Sequence, residues 1–216
     1  MERMDLTVLL IRISQFSSLI PVFVGFLFYK KLNRVFKTLV WILVFSSLVE
    51  LIAFLLRKYL GNNLPLLHIF TIIEFCMFLY VFYKGVKIKQ SLYFLLIAAF
   101  ILLACFDAFV FNKISTFNSI AKPAESLVFT IVALYYYYYN LQENNTVSIF
   151  YQPMYWFSTG ILIYFSVNFF MFLLMNTLLS INQGMGYLEY NIHSISNIIA
   201  NLLFAISFTR FNARFK

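Results

Sequence analysis

Apolar residues run through this chain in long, nearly unbroken stretches with short polar punctuation between them. A hydrocarbon core of ~30 Å takes about 20 apolar residues in a helix. Seven stretches reach that length: residues 6–29, 36–56, 64–83, 91–111, 119–139, 154–175 and 187–209. The runs are continuous rather than alternating with period two, which predicts helices and not a barrel. The fifth and seventh are the least uniform, because each carries polar residues near its start. The connections are too short for a soluble domain. The expected fold is therefore all-α, a single polytopic transmembrane bundle of seven helices over residues 1–216.

Composition agrees with that reading. The chain is 62% hydrophobic and 11% charged, against roughly 25% charged in soluble domains. Its 28 Phe and 15 Tyr suit lipid-facing surfaces and interfacial belts; the run at 135–139 reads as such a belt. The opening Met1-Glu2-Arg3-Met4-Asp5 mixes charge signs, and no small-residue cleavage site follows it. The first apolar run is thus expected to be a span rather than a cleaved leader. Cys76 and Cys105 both lie within apolar runs and make neither a disulfide framework nor a metal-ligand spacing.

The formal charge of +8 does not point to nucleic acid, since the basic residues stand in short clusters between apolar runs. They act as topology signals instead. Lys30, Lys31, Arg34, Lys37, Lys84, Lys87, Lys89, Arg210, Arg214 and Lys216 share one side of a seven-span chain. Arg3, Arg12, Arg57, Lys58, Lys113 and Lys122 share the other. The richer side is expected in the cytoplasm, which puts the N-terminus outside and the C-terminus inside. The loop at 140–152 has no Lys or Arg and does not help. The expected location is the inner (plasma) membrane of a bacterial cell, with the lipid bilayer as the first partner.

Ionisable groups in a bilayer are costly and mark functional sites by default. Arg12, Glu50, His68, Glu74, Asp107, Glu125, Glu189 and His193 all fall in the outer half of the expected spans or at the midplane. In the seventh span Glu189, His193, Asn197 and Asn201 recur every four residues and share one slowly rotating face. In the third, His68, Thr71 and Glu74 recur every three. Ser46, Ser47 and Glu50 make a polar patch in the second, and Asn168 has a similar place in the sixth. The expectation is an outward-facing pocket lined by Arg12, Glu50, His68, Thr71, Glu74, Asp107, Glu189, His193 and Asn197. The competing expectation is structural: Asn, Ser and Thr link transmembrane helices by hydrogen bonds. His68, His193 and Glu74 are the candidate donors for a metal such as Zn²⁺, although no His-x-x-x-His pair is present. No motif names a cofactor or a catalytic residue.

Three stretches carry a resemblance. They are Leu67-His68-Ile69-Phe70-Thr71-Ile72-Ile73-Glu74-Phe75, then Gly160-Ile161-Leu162-Ile163-Tyr164-Phe165-Ser166 with Asn168-Phe169-Phe170, and His193 with Asn197 and Asn201. Together the chain resembles uncharacterised small seven-helix membrane proteins of Bacteroidota-type bacteria. The resemblance implies a seven-helix fold and a sensing role beside a cytoplasmic partner such as a histidine kinase. It supplies neither ligand nor reaction.

Short matches also raise the expectation of a parallel 3+1+3 repeat. Ser18-Leu19-Ile20 pairs with Ser126-Leu127-Val128, Val49-Glu50 with Val167-Asn168, and His68 with His193. That architecture resembles the SWEET and PQ-loop transporters. The chain departs from them in lacking a Pro-Gln pair, and Pro21 is the only proline well inside a span.

The leading functional expectation is a membrane sensor or receptor, taking a small ligand or proton from outside. Groups on the cytoplasmic half are too few for a through-going ion path, and the seventh span has no Lys for a retinal Schiff base. A SWEET-like transporter of small solutes is the alternative, followed by a metal-dependent intramembrane lipid enzyme.

Overall fold

The computed structural model describes residues 2–86, 88–111, 120–142, 148–181 and 185–211, with the side chains of 2–5, 174–181, 185–186 and 189 left out. Lys87, Lys113, Arg214 and Lys216, used above for orientation, lie outside the described residues.

The described chain is helical with short turns. It comprises α1 (Glu2–Ser17), α2 (Leu19–Leu27), α3 (Arg34–Leu60), α4 (Leu64–Gly85), α5 (Gln90–Phe106), α6 (Ala121–Gln142), α7 (Pro153–Ile181) and α8 (Met185–Thr209). The first two form one bent rod. Pro21 has no N–H to return to the carbonyl of Ser17 and its ring crowds that carbonyl, and the helix breaks at Ser18. Local chemistry marks other boundaries. The Asn33 side chain accepts from Phe36 N at 3.0 Å and caps the start of α3. Gly61 ends α3 at φ 74°, where a side chain is unfavourable. Pro65 sits in the first turn of α4, where its missing N–H costs nothing.

Seven rods result, and six are long and apolar enough to cross a membrane by length and composition: Leu6–Leu27, Arg34–Leu60, Leu64–Gly85, Gln90–Phe111, Pro153–Leu173 and Tyr190–Thr209. The seventh rod, α6, has comparable length at 22 residues but is not among them; Lys122, Glu125 and its tyrosine run dilute its apolar character. Large apolar side chains cover the outside, including Phe16, Phe23, Leu102 and Phe109, each at least 66% exposed. Such a surface is stable against lipid and not against water. The chain is a multi-pass membrane protein.

Each rod packs against its chain neighbours, and α8 closes the ring against α1 and α2. α4 also packs directly on α6. Five rods and the bent α1–α2 rod therefore surround the centre, and α5 rides outside on α4 and α6. Phe75 of α4 stacks on Phe100 of α5, ring centroids 3.8 Å apart.

The two ends of the bundle are built differently. Toward the end where α2 stops and α3 begins, the centre is filled by phenylalanine. Phe78 is the hub: its ring centroid lies 6.0 Å from Phe129, 6.1 Å from Phe157, 6.5 Å from Phe165 and 6.3 Å from Phe204. Phe82 and Phe208 extend the layer and are fully buried. Lipid is as apolar as these rings, so the gain comes from close dispersion contact rather than from escaping water. Two glycines allow that contact. A Cβ on Gly25 would stand 2.7 Å from Val40 Cγ2, and one on Gly160 would stand 2.7 Å from Phe204 Cε1. Toward the other end, where α3 turns into α4, the centre is open and polar.

Candidate functional site

The open end holds a cavity of about 540 Å³, within the usual range for small-molecule sites. Its walls come from Ser18 at the helix break, from α3, α4, α7 and α8, and from Lys122 of α6; α5 contributes nothing. Phe78, Phe165 and Phe204 form its floor, and Arg57, Gly61, Asn62 and Asn63 line it where it reaches the α3–α4 turn.

α3 supplies a polar stripe. Ser46, Ser47, Glu50 and Arg57 follow each other at spacings that keep them on one helix face. Glu50 lies within hydrogen-bonding reach of Ser18, and Glu74 stands close enough to repel its charge. One turn away, Ser46 Oγ is buried with no hydrogen-bond partner among the described residues.

The strongest electrostatic feature is an ion-pair triad. Lys122 Nζ donates to Glu74 Oε2 at 2.7 Å and to Glu125 Oε2 at 2.8 Å. All three side chains are largely or fully buried, at 16%, 11% and 0% exposure. The Glu74 arm ties α4 to α6, and the Glu125 arm is internal to α6. Glu125 Oε1 is buried without a partner among the described residues. By sequence Lys122 falls at the start of the fifth apolar run and counts as a topology charge rather than a pocket candidate. It sits in the first turn of α6 and points into the bundle. The signal available was its i, i+3 spacing to Glu125.

His193 is held from behind. Its Nδ1 lies 2.9 Å from Asn168 Oδ1. Asn168 Nδ2 donates to the Tyr164 carbonyl at 2.6 Å and to Ser196 Oγ at 2.8 Å. With its amide hydrogens committed there, Asn168 offers His193 an acceptor. Nδ1 then carries a proton. Tyr164 and Phe172 flank the imidazole, with ring centroids at 5.6 Å and 5.9 Å. Asn197 and Asn201 face the cavity too, but each donates to α1: to Ser14 Oγ at 2.9 Å and to Ser17 Oγ at 3.0 Å.

The structure thus brings Glu50, Glu74, His193 and Asn197 to one cavity and places Arg12, His68, Thr71 and Asp107 elsewhere. Arg12 is on the exposed side of α1, where its long chain can reach the interface. His68 and Thr71 are buried but do not line the cavity. Residues three apart drift by about 60° per step, so His68 points some 120° away from Glu74. It shares a face with Phe75, which packs on α5 and α6. Asp107 is fully buried and caps α6: its Oδ2 accepts from Ala121 N at 2.9 Å and Ile120 N at 3.3 Å, where the helix dipole favours a carboxylate. The Glu189 side chain lies outside the described residues. Among the described residues no three His, Cys, Asp or Glu side chains converge as a metal site would need. The candidate donor His68 does not line the cavity that His193 borders.

No protein-family model, curated protein or solved structure matches the chain.

Proposed function

We propose that this protein is a receptor-like membrane protein that binds a small solute in the cavity and converts binding into a shift of helix contacts. The observation that carries this reading is the Lys122–Glu74 ion pair. It stands in the cavity wall and joins α4 to α6. A ligand that competes for either partner binds the joined and parted bundles with different affinity, which is the condition for transmitting anything. In this reading α6 also crosses the membrane and brings the spans to seven, the cavity faces outward with the N-terminus, and the basic turns near Lys30, Lys84 and Arg210 face the cytoplasm. There they meet a signalling partner such as a histidine kinase. The membrane is the bacterial inner membrane.

The test combines accessibility with flux. With Cys76 and Cys105 replaced by serine, Ser47→Cys should react with a membrane-impermeant thiol reagent only from the side bearing the N-terminus. Liposomes holding the protein alone should pass no solute that binds it. Labelling from the opposite side, or from neither, would defeat the outward-facing cavity.

One observation favours a second reading, transport of a small solute. The cavity wall is built by the rods before α5 and the rods after it, while α5 stands outside. That is the arrangement a 3+1+3 repeat would produce, with the aromatic floor as the closed gate. Uptake by liposomes holding the protein alone would decide for this reading.

A further inference from the structure

Set apart from the exposed Arg57 at the mouth, the described ionisable side chains at the cavity carry more negative than positive charge, and the excess has a definite place. Among the described residues Glu50 and Glu74 are the carboxyl groups that line the cavity, Glu125 stands behind Lys122, and Lys122 is the buried ammonium among them. That ammonium is committed to Glu74 and Glu125. Among the described residues no basic nitrogen lies within ion-pair distance of Glu50, and Arg57, two turns along α3, is exposed at the mouth. The His193 ring is turned by its Nδ1 contact with Asn168. A carboxylate in a low-dielectric wall needs a proton or a cation to offset it.

Two further observations separate a bound organic cation from a proton alone. Ser46 Oγ, one turn from Glu50 on the same helix face, is buried without a partner, so the wall presents a second hydrogen-bonding group beside the acid. Much of the rest of the lining is aromatic. Phe70, Phe78, Phe165, Phe172 and Phe204 all border the cavity, and a ring face attracts a cation while its body accepts apolar groups. An anion seated beside Ser46 would meet Glu50 directly, with the guanidinium of Arg57 two turns away along α3 at the mouth. A sugar would find the deeper polar donors engaged, because Asn197, Asn201 and Ser47 already donate to Ser14, Ser17 and the Leu43 carbonyl.

We infer that the cavity selects a small primary or secondary amine with an apolar or aromatic body, its ammonium on Glu50 and Ser46 and its body on the phenylalanine floor. This inference rests on the cavity being a ligand site, as proposed above, and adds the class of ligand. The available volume of about 540 Å³ accommodates an aryl-alkyl amine.

The test uses the full chain in lipid nanodiscs and calorimetric titration. The probes are phenethylamine and tryptamine, their N-acetylated neutral forms and the corresponding arylalkanoic acids. The amines should bind at least ten-fold more tightly than the amides, and the acids should bind most weakly. Glu50→Gln should remove at least ten-fold of amine affinity and leave the amides unchanged. Glu50→Asp, which keeps the charge, should retain the preference for amines and guards against a folding defect in the first variant. Ser46→Ala should cost a smaller factor, about three-fold. Amides or acids that bind as tightly as the amines would overturn the inference and leave the cavity as a ligand site. So would an amine preference unchanged in Glu50→Gln. Failure of the whole panel to bind would also overturn it, while the thiol-labelling experiment judges the outward-facing cavity separately.

Discussion

The two halves of this bundle solve opposite problems with the same helices. In the half around Phe78 the rods meet through interlocked rings and two glycines, and the centre is solid. In the half around Glu50 the rods part, and they are held by specific polar bonds: Lys122 to Glu74, Asn197 to Ser14, Asn168 to Ser196. The first half is stabilised by shape. The second is stabilised by pairing, which leaves room between the partners. A bundle packed throughout like the first half would have no site, and one built throughout like the second would have no fixed floor. The boundary is one layer of side chains, since Phe78, Phe165 and Phe204 belong to both.

That contrast can be broken from either side. The largest effects are expected at the triad and at the hub. Lys122→Met leaves two buried carboxylates without their cation and should cost about 3–5 kcal/mol. Pairing it with Glu74→Gln and Glu125→Gln should restore most of the loss. Denaturant unfolding in detergent reads both, and equal stability of the single and triple variants would remove the triad from the account. Phe78→Ala should cost a comparable amount, about 3–5 kcal/mol. It should also open the floor, so that Ser47→Cys reacts with an impermeant thiol reagent from both faces of the membrane. One-sided labelling in that variant would show that the floor is thicker than one layer.

A smaller effect is expected where two helices touch without a side chain. Gly160→Val drives new atoms into Phe204 and should lose about 1–3 kcal/mol, read as a lower melting temperature. Asn197→Ala removes one bond to α1 and should cost about 0.6–2 kcal/mol. If Asn197→Ala proved costlier than Gly160→Val, polar pairing would outweigh shape even in lipid.

The candidate site was legible to the extent that helix period and depth determine direction. The four-residue stripe of α8 drifts by about 40° per step, so His193, Asn197 and Asn201 stay on one face and all reach the cavity. The three-residue series of α4 drifts faster and the other way, and His68 and Glu74 part company. Lys122 was hidden because a lysine at the edge of an apolar run looks like a topology signal. Its direction depends on where α6 begins, and Asp107, distant in sequence, caps that start. Arg12 was misleading for the converse reason: its depth suggested burial, while its angular position on α1 leaves it exposed.

Hydrophobic run length alone determined that the chain is helical and crosses a membrane several times, because a backbone in lipid must satisfy its own hydrogen bonds. Asn33, Gly61 and Pro65 likewise set their helix ends through local chemistry. The tertiary structure decided what length and period cannot encode. It placed α5 outside, joined Glu74 to a lysine 48 residues away, and put an aromatic floor under a polar cavity. Those outcomes depend on which rods touch, and in a bilayer that choice rests on packing shape and on pairs of polar groups brought together from distant parts of the chain.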